Sequence, residues 1–519
     1  MNKSIEVKMK IAICIFVTFS MLTVNSFAEE ENKLLFMTAT DVAKSIREKK
    51  ITSVEVVTKV NSQIQKHNKN YNAIVTLNTN ALIEAKEADE KLAQGRILGP
   101  LHGVPIVIKD SFKVKGMRTT AGYSEMKDYI AEEDALVVKL LKEAGAIIIG
   151  KGNLPTLAMD MQTDNAVFGR TNNPWDISRT SGGSTGGDSV ALASGFAYLG
   201  FGSDLAGSLR IPTSFTGTYG LKTTYGIISK IGHIPPLPTE VNGLHALAVM
   251  GPVARSIDDL KLTLEIVTSP HKDDKSIIPI RKDVDKVNIK KLKIAWVDSF
   301  GDVPVQKEIR DNIIKFVKKL ESSGAQVRRI EPNGFNYVEV WEIWGGIVGH
   351  QGGYDTSNFM RWMGDFFTKD VTQNIPMHRK IVGPISVPSY MELLNKQKKY
   401  ITSMENFLDE YDVWITPVSS TTAFKHHKPS KAFGNFNVYN DPILVDEKEV
   451  PYYIATQAYT TIFSVTENPV LSMPIALDSN GLPIGIQVVA KRFQDYKLLE
   501  IGKILNEYAD KMVYPLQKK

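Results

Sequence analysis

The sequence predicts an α/β protein with one large sheet covered by helices, organised as a single domain. Helix-patterned and strand-patterned stretches alternate along the chain, as they do where a sheet is layered with helices. No short period repeats, and no Pro- or Ser-rich linker divides the chain beyond its first 28 residues. Of 519 residues, 43% are hydrophobic and 23% charged. That is enough apolar material for a large core, and it excludes collagen, coiled coil and disorder.

The elements follow in order. "MNKSIEVKMK" supplies three lysines, and an apolar run from Ile11 to Val24 follows, short for a bilayer span. Ser26 and Ala28 in "NSFAEE" have the spacing of a signal-peptidase site. Residues 1–28 are therefore expected to be a secretory signal cut after Ala28, with an uncleaved anchor as the alternative. The mature chain, 29–519, is then exported, periplasmic or secreted, and keeps no stable membrane span. Cys14 is the only cysteine. Its loss with the leader excludes disulfides, a thiolate nucleophile and cysteine–metal sites.

"TSVEVVTKVNSQIQKH" places Val56, Val60 and Ile64 at four-residue spacing, a helix with Ser53 as a plausible cap. "GPLHGVPIVIKDSF" leads through two prolines into a strand at Ile106–Ile108, with Lys109 at its end. "DALVVKLLKEAGAIIIGKGN" reads as a helix capped by Asp134 and stopped by Gly145, then a strand at Ala146–Ile149. "KLKIAWVD" (291–298), residues 306–324 and "AQVRRI" repeat the order strand, helix, strand. Residues 330–400 differ in texture. Trp341, Trp344, Phe359, Trp362, Met363, Phe366 and Phe367 lie among glycines, either as a helical core layer or as a cap over an apolar substrate pocket.

The net charge is +5. Lys3, Lys8 and Lys10 against Glu6 make the leader +2, so the mature chain is near +3. Lysine-rich stretches such as "IRKDVDKVNIKKLK" (280–293) are interrupted by acids and read as solvated surface. No basic, aromatic-interleaved stripe argues for nucleic acid.

The densest candidate for chemistry is "TSGGSTGGDS" (180–189). Gly182 to Gly187 fits a phosphate loop, but Asp188 stands where the lysine should be. Gly182–Gly186 fits a hydrolase elbow around Ser184, but the preceding "TNNPWDISRT" is no strand. His233, His245, His271, His350, His378, His426 and His427 could supply a base by composition, and none has a context that marks it. No metal-ligand spacing appears. In "GSDLAGSLRIP" (202–212), Gly207 beside Ser208 would expose successive N–H groups toward one point, as an oxyanion hole requires. Lys109 has the apolar approach that lowers a lysine pKa.

Together these segments resemble the amidase signature family. "GPLHGVPIVIKDSF", "SGGSTGGDSVALASG", "GFGSDLAGSLRIPTSFTGTYGLKTTYG", "GPVARSIDDL", "YDVWITPV" and "NPVLSMPIALDSNGLPIGIQVVAKRF" stand in the family's order, over most of residues 36–515. The resemblance implies a large central mixed sheet with helices on both sides. It also implies a hydrolase acting on a small-molecule amide through a Ser–Ser–Lys triad and an acyl-enzyme, without cofactor or metal. Lys109 matches the base, Ser184 the bridging serine after a cis peptide bond, and Ser208 the nucleophile. The backbone of Leu205, Ala206, Gly207 and Ser208 matches the oxyanion hole. Thr185, Asp204 and Arg210 match supporting positions. Ala206 stands where many members have glycine, and Thr185 where serine is usual. The competing functions are a non-catalytic binding protein on the same scaffold and an amidotransferase-type subunit. Neither the particular amide nor the oligomeric state is legible.

Overall fold

A computed structural model describes residues 33–517, apart from 238–245, 354–355, 373–374 and 434–435. The expected signal sequence lies outside the described residues, as does His245.

Eleven strands form one mixed sheet. They are β1 (Ile74–Leu77), β2 (Pro105–Lys109), β3 (Ile147–Gly152), β4 (Leu199–Asp204), β5 (Tyr219–Lys222), β6 (Val249–Ala254), β7 (Lys293–Trp296), β8 (Gln326–Arg329), β9 (Val413–Pro417), and the late pair β14 (Val470–Leu477) and β15 (Pro483–Val489). Two small hairpins lie between, β10 (Lys431–Phe433) with β11 (Phe436–Val438), and β12 (Ile443–Val445) with β13 (Lys448–Val450). The sheet order is β1-β3-β2-β4-β6-β5-β14-β15-β9-β7-β8. Parallel pairing joins β3, β2 and β4 at one side and β9, β7 and β8 at the other. The centre, from β4 through β6, β5, β14 and β15 to β9, is antiparallel.

Burial follows position in the sheet. Every residue of β2, β3, β4, β6, β9 and β15 is buried. Their sequences are accordingly near-continuous apolar runs such as "PIVIK" and "PIGIQVV", as expected of strands covered on both faces. Each fully buried Val, Leu or Ile contributes about 1.5–3 kcal/mol. Helix Gly186–Ala193 packs on β2, β3, β4 and β6, and helix Arg210–Thr216 on β5, β14 and β15. Both are buried throughout, so the small residues of the glycine–serine stretch belong to the centre of the molecule.

Local boundaries differ slightly from the sequence expectations. The first long helix runs Ser53–Tyr71, and its cap is Thr52, which forms a capping box with Glu55. Ser53 turns inward and donates to Gly103 O at 2.8 Å. Asp134 does not cap the helix Leu136–Glu143. Its carboxylate accepts from the Lys115 N–H and pairs with Lys142.

Candidate active site

Lys109 closes the apolar strand β2, and no part of it is exposed. Its Nζ lies 2.7 Å from Ser184 Oγ, 3.0 Å from Ser203 Oγ and 3.5 Å from Ser203 O. No carboxylate touches it among the described residues. Burial pulls its pKa down to about 7, against the opposing charges of Asp188 and Asp204. A lysine in this state serves as a base near neutral pH.

Ser184 arrives on the glycine-rich turn. The Gly183–Ser184 peptide bond is cis, as the family resemblance implies. The turn is tied down by its own hydroxyls. Thr163 Oγ1 donates to Gly182 O at 2.8 Å, and the Gly182 N–H donates to Thr180 Oγ1 at 3.0 Å. A side chain at Gly187 would place Cβ 2.0 Å from Asn153 N, so only glycine lets this backbone pass the end of β3. Thr185 links three parts of the site. Its N–H donates to Ser208 O at 3.1 Å, and its hydroxyl reaches Ser203 O at 3.4 Å. Asp188, in the first turn of the following helix, is fully buried, and neither carboxyl oxygen meets a donor of another residue. Burial pushes its pKa up despite the Lys109 charge.

Ser208 lies in the short turn between β4 and helix Arg210–Thr216. It is 4% exposed, and its hydroxyl has no hydrogen bond among the described residues. The four N–H groups expected to face an oxyanion divide unequally. That of Gly207 donates to Asp204 Oδ1 at 2.8 Å. Those of Leu205, Ala206 and Ser208 have no acceptor among the described residues. The carbonyls of the first two are held from outside: Trp344 Nε1 donates to Leu205 O at 3.0 Å, and Thr460 Oγ1 to Ala206 O at 2.5 Å. Gly207 has φ +117°, and a Cβ there would lie 2.6 Å from Thr460 Oγ1. Both the conformation and the space demand glycine.

Asp204 and Arg210 brace this turn from below. Both are wholly buried. Arg210 donates Nε to Asp204 Oδ2 at 3.0 Å and Nη2 to Oδ1 at 2.8 Å, a two-point clamp. Its Nη1 donates to Thr460 O and to Gln487 Oε1, each at 2.8 Å. Burial raises the Asp204 pKa, but the Arg210 charge and the hydrogen bonds it accepts outweigh this and hold it below the usual range. Asp204 therefore remains an anion and orders the N–H groups of Gly207 and Leu209.

The structure thus brings Lys109, Ser184, Thr185, Asp204, Ala206, Gly207, Ser208 and Arg210 into one connected set. Sequence reasoning missed Ser203, Thr460 and Gln487, and named His233 and Trp344 without assigning either a place in the site. His233 Nε2 lies 3.0 Å from Ser203 Oγ. Of these five, only Trp344 stands out in the sequence, as part of the aromatic stretch. That stretch divides. Trp341 and Trp344 are buried in helix Tyr337–Gly352, whereas Phe359, Trp362 and Phe366 on helix Asn358–Thr372 are 67%, 50% and 64% exposed. No cluster of three His, Cys, Asp or Glu able to hold a metal occurs among the described residues. Nor is any described helix long and apolar enough to cross a membrane.

Residues 55–499 match the family described as Amidase. A glutamyl-tRNA(Gln) amidotransferase subunit from Alkaliphilus metalliredigens (strain QYMF) is 30% identical over 493 residues, covering 90% of this chain and 95% of that protein. Fatty-acid amide hydrolase 2 from Homo sapiens is 29% identical over 517 residues, covering 91% and 89%. Among solved structures, a bacterial aryl acylamidase belonging to the amidase signature enzymes is similar in fold, with a TM-score of 0.75 at 22% identity, covering 91% of this chain and 96% of that one.

Proposed function

The chain belongs to the amidase family, and from that membership we propose that it is an exported amidase with Ser208 as nucleophile, Ser184 as proton bridge and Lys109 as base. The observation that supports the reading most is the buried Lys109 amine, 2.7 Å from Ser184 Oγ and without a carboxylate partner. Burial lowers its pKa to about 7, so the neutral amine, able to take a proton, is present near neutral pH.

In this reading Ser208 Oγ attacks the carbonyl carbon of the amide. Its proton passes to Ser184, whose own proton passes to Lys109 Nζ. The unsatisfied N–H groups of Leu205, Ala206 and Ser208 receive the oxyanion, each such donor being worth about 3–4 kcal/mol in comparable sites. As the tetrahedral intermediate collapses, the carbon–nitrogen bond breaks. Ser184 gives a proton to the leaving nitrogen and recovers one from Lys109. Water then enters by the same relay and releases the carboxylate from the Ser208 ester. The free Ser208 hydroxyl fits an enzyme without substrate, in which catalytic hydrogen bonds tighten only on binding. The leader pattern in residues 1–28 supports export.

The test is labelling with a fluorophosphonate probe. Wild type should be modified at Ser208, and Ser208→Ala should take no label. An unlabelled wild type would overturn the proposal. A second reading, an amidotransferase-type subunit, draws on the similarity to the tRNA amidotransferase protein. Hydrolysis of simple amides by the isolated chain, with neither ATP nor a second protein present, would exclude it as the main role. The N-terminus of the protein recovered outside the cytoplasm should begin at residue 29.

A further inference from the structure

We propose that His233 is a positioning residue for the base: acting through Ser203, it leaves the Lys109 lone pair no partner but Ser184. This rests on the reading of Lys109 as base given above.

The segment that follows β2 ties the His233 loop to Lys109. Beyond Lys109, the chain continues through Ser111 and Phe112 and pairs with the loop that carries His233. Ile234 N–H donates to Ser111 O at 2.7 Å, and Lys113 N–H donates to Gly232 O at 2.9 Å. Phe112 and His233 form a bridge, with their rings edge to face at 4.8 Å. The imidazole is therefore fixed relative to the Lys109 backbone.

The contacts of His233 with Pro235 O and Ser203 Oγ are met together by one arrangement of protons. His233 Nδ1 lies 3.3 Å from Pro235 O, and a carbonyl only accepts, so Nδ1 carries the hydrogen. In the neutral ring Nε2 is then an acceptor, and the atom 3.0 Å away, Ser203 Oγ, must donate to it. With its proton spent on His233, Ser203 Oγ can only accept from Lys109 Nζ, 3.0 Å distant. A neutral amine has two hydrogens and one lone pair. One hydrogen goes to Ser203 Oγ and the other toward Ser203 O. The lone pair is left for Ser184 Oγ at 2.7 Å, the direction from which the base must take its proton.

Without the imidazole acceptor, the Ser203 hydroxyl is free to turn and donate to the Lys109 lone pair. It then competes with Ser184 for the one site that catalysis needs. His233 touches neither substrate nor the reacting serines. Its effect falls on the fraction of enzyme in which the relay is correctly polarised, hence on the rate of the chemical step and not on binding.

The experiment measures the fluorophosphonate reaction at Ser208 in the full chain, separating the limiting rate kinact from the half-saturating concentration KI. His233→Phe keeps a ring against Phe112 but removes the acceptor. It should lower kinact by about tenfold to a hundredfold, the scale of a misdirected catalytic group, with KI unchanged. His233→Gln places an amide oxygen near the position of Nε2 and should recover most of the rate. Ser203→Ala removes the competing hydroxyl, so His233→Phe added to Ser203→Ala should cost nothing further. Because kinact is a first-order rate, it is read on the folded fraction alone, so partial misfolding of His233→Phe does not change it. A wild-type kinact in His233→Phe overturns the proposal, as does a multiplicative loss in the double variant. If wild type itself takes no label at Ser208, the amidase reading fails, and the proposal with it.

Discussion

Lys109 and Lys151 stand at the ends of neighbouring strands, β2 and β3, and neither is exposed at all. Their surroundings differ in one respect. Lys151 Nζ donates to Asp110 Oδ1 at 3.0 Å, to Phe112 O at 2.9 Å and to Thr119 Oγ1 at 3.0 Å. Lys109 meets hydroxyls and a carbonyl but no carboxylate among the described residues. Burial depresses both amines, and at Lys151 the charge and hydrogen bond of Asp110 work against it. Paired with its anion, Lys151 is a structural cation that ties β3 to the loop after β2. Lys109, with no anion in contact, is the lysine that the proposed mechanism uses as its base. Burial alone therefore does not separate these two lysines; contact with a carboxylate does.

The largest test of this contrast is Lys109→Met. The variant should remain folded and lose activity by about 10²–10⁴-fold, the contribution of a positioned base. Steady-state hydrolysis per folded molecule, with folding checked by circular dichroism, measures it. Retained activity would place the base elsewhere.

Lys151→Met should do the reverse. It strands the Asp110 carboxylate, which keeps only the Thr120 N–H and hydroxyl as donors among the described residues. Leaving one member of a buried pair unpartnered costs about 3–5 kcal/mol. Denaturant unfolding should show that loss, while kcat per folded molecule remains near wild type. A loss of kcat without a loss of stability would mean that Lys151 takes part in the chemistry, and the contrast would fail.

The sequence singled out Lys109 by its apolar approach, but Lys151 has one too, and the family resemblance was what separated them. "VPIVIKD" and "AIIIGKGN" are both apolar strands ending in lysine, and nothing local says which will meet an acid. The alternation of helix and strand was legible because burial on both faces imposes continuous apolar runs on β2 and β3. Ser184 and Ser208 were legible because tight backbone turns require glycines beside them. The bracing groups were not. Thr460 and Gln487 reach Arg210 across 250 and 277 residues of chain, and each sits in an ordinary helix or strand pattern. His233 looked like any other histidine, because what marks it is its contact with Ser203, thirty residues earlier. In the aromatic stretch, periodicity could not tell Trp344, which holds the Leu205 carbonyl, from Trp362, which is half exposed. Burial is decided by what lies across the interface, and that is absent from the local pattern.

The smallest expected effect is also the one that could overturn the contrast. With its pKa lowered to about 7, Lys109 is protonated as pH falls through that value. Activity should therefore rise with pH through an acid limb near 7 and fall away below it. A lysine with an anion in contact would instead have its limb well above 7. Among the described residues, Asp188 is the only carboxyl near enough to Lys109 to affect it, besides the Arg210-clamped Asp204, and it acts without touching it. Its carboxyl is buried without a donor from another residue, so burial favours the protonated, neutral form. Its place in the first turn of a helix favours an anion by only about 0.3–1 kcal/mol, too little to offset full desolvation. Below its pKa of about 8 the Asp188 carboxyl is neutral and exerts none of the pull on Lys109 that an anion would. Replacing a neutral carboxyl by a neutral amide changes no charge. Asp188→Asn should therefore leave the acid limb of kcat/KM where it is in wild type. A limb displaced to lower pH by a unit or more would show that Asp188 is ionised and holds the Lys109 pKa up. Lys109 would then be a second paired cation, differing from Lys151 only in the distance to its anion.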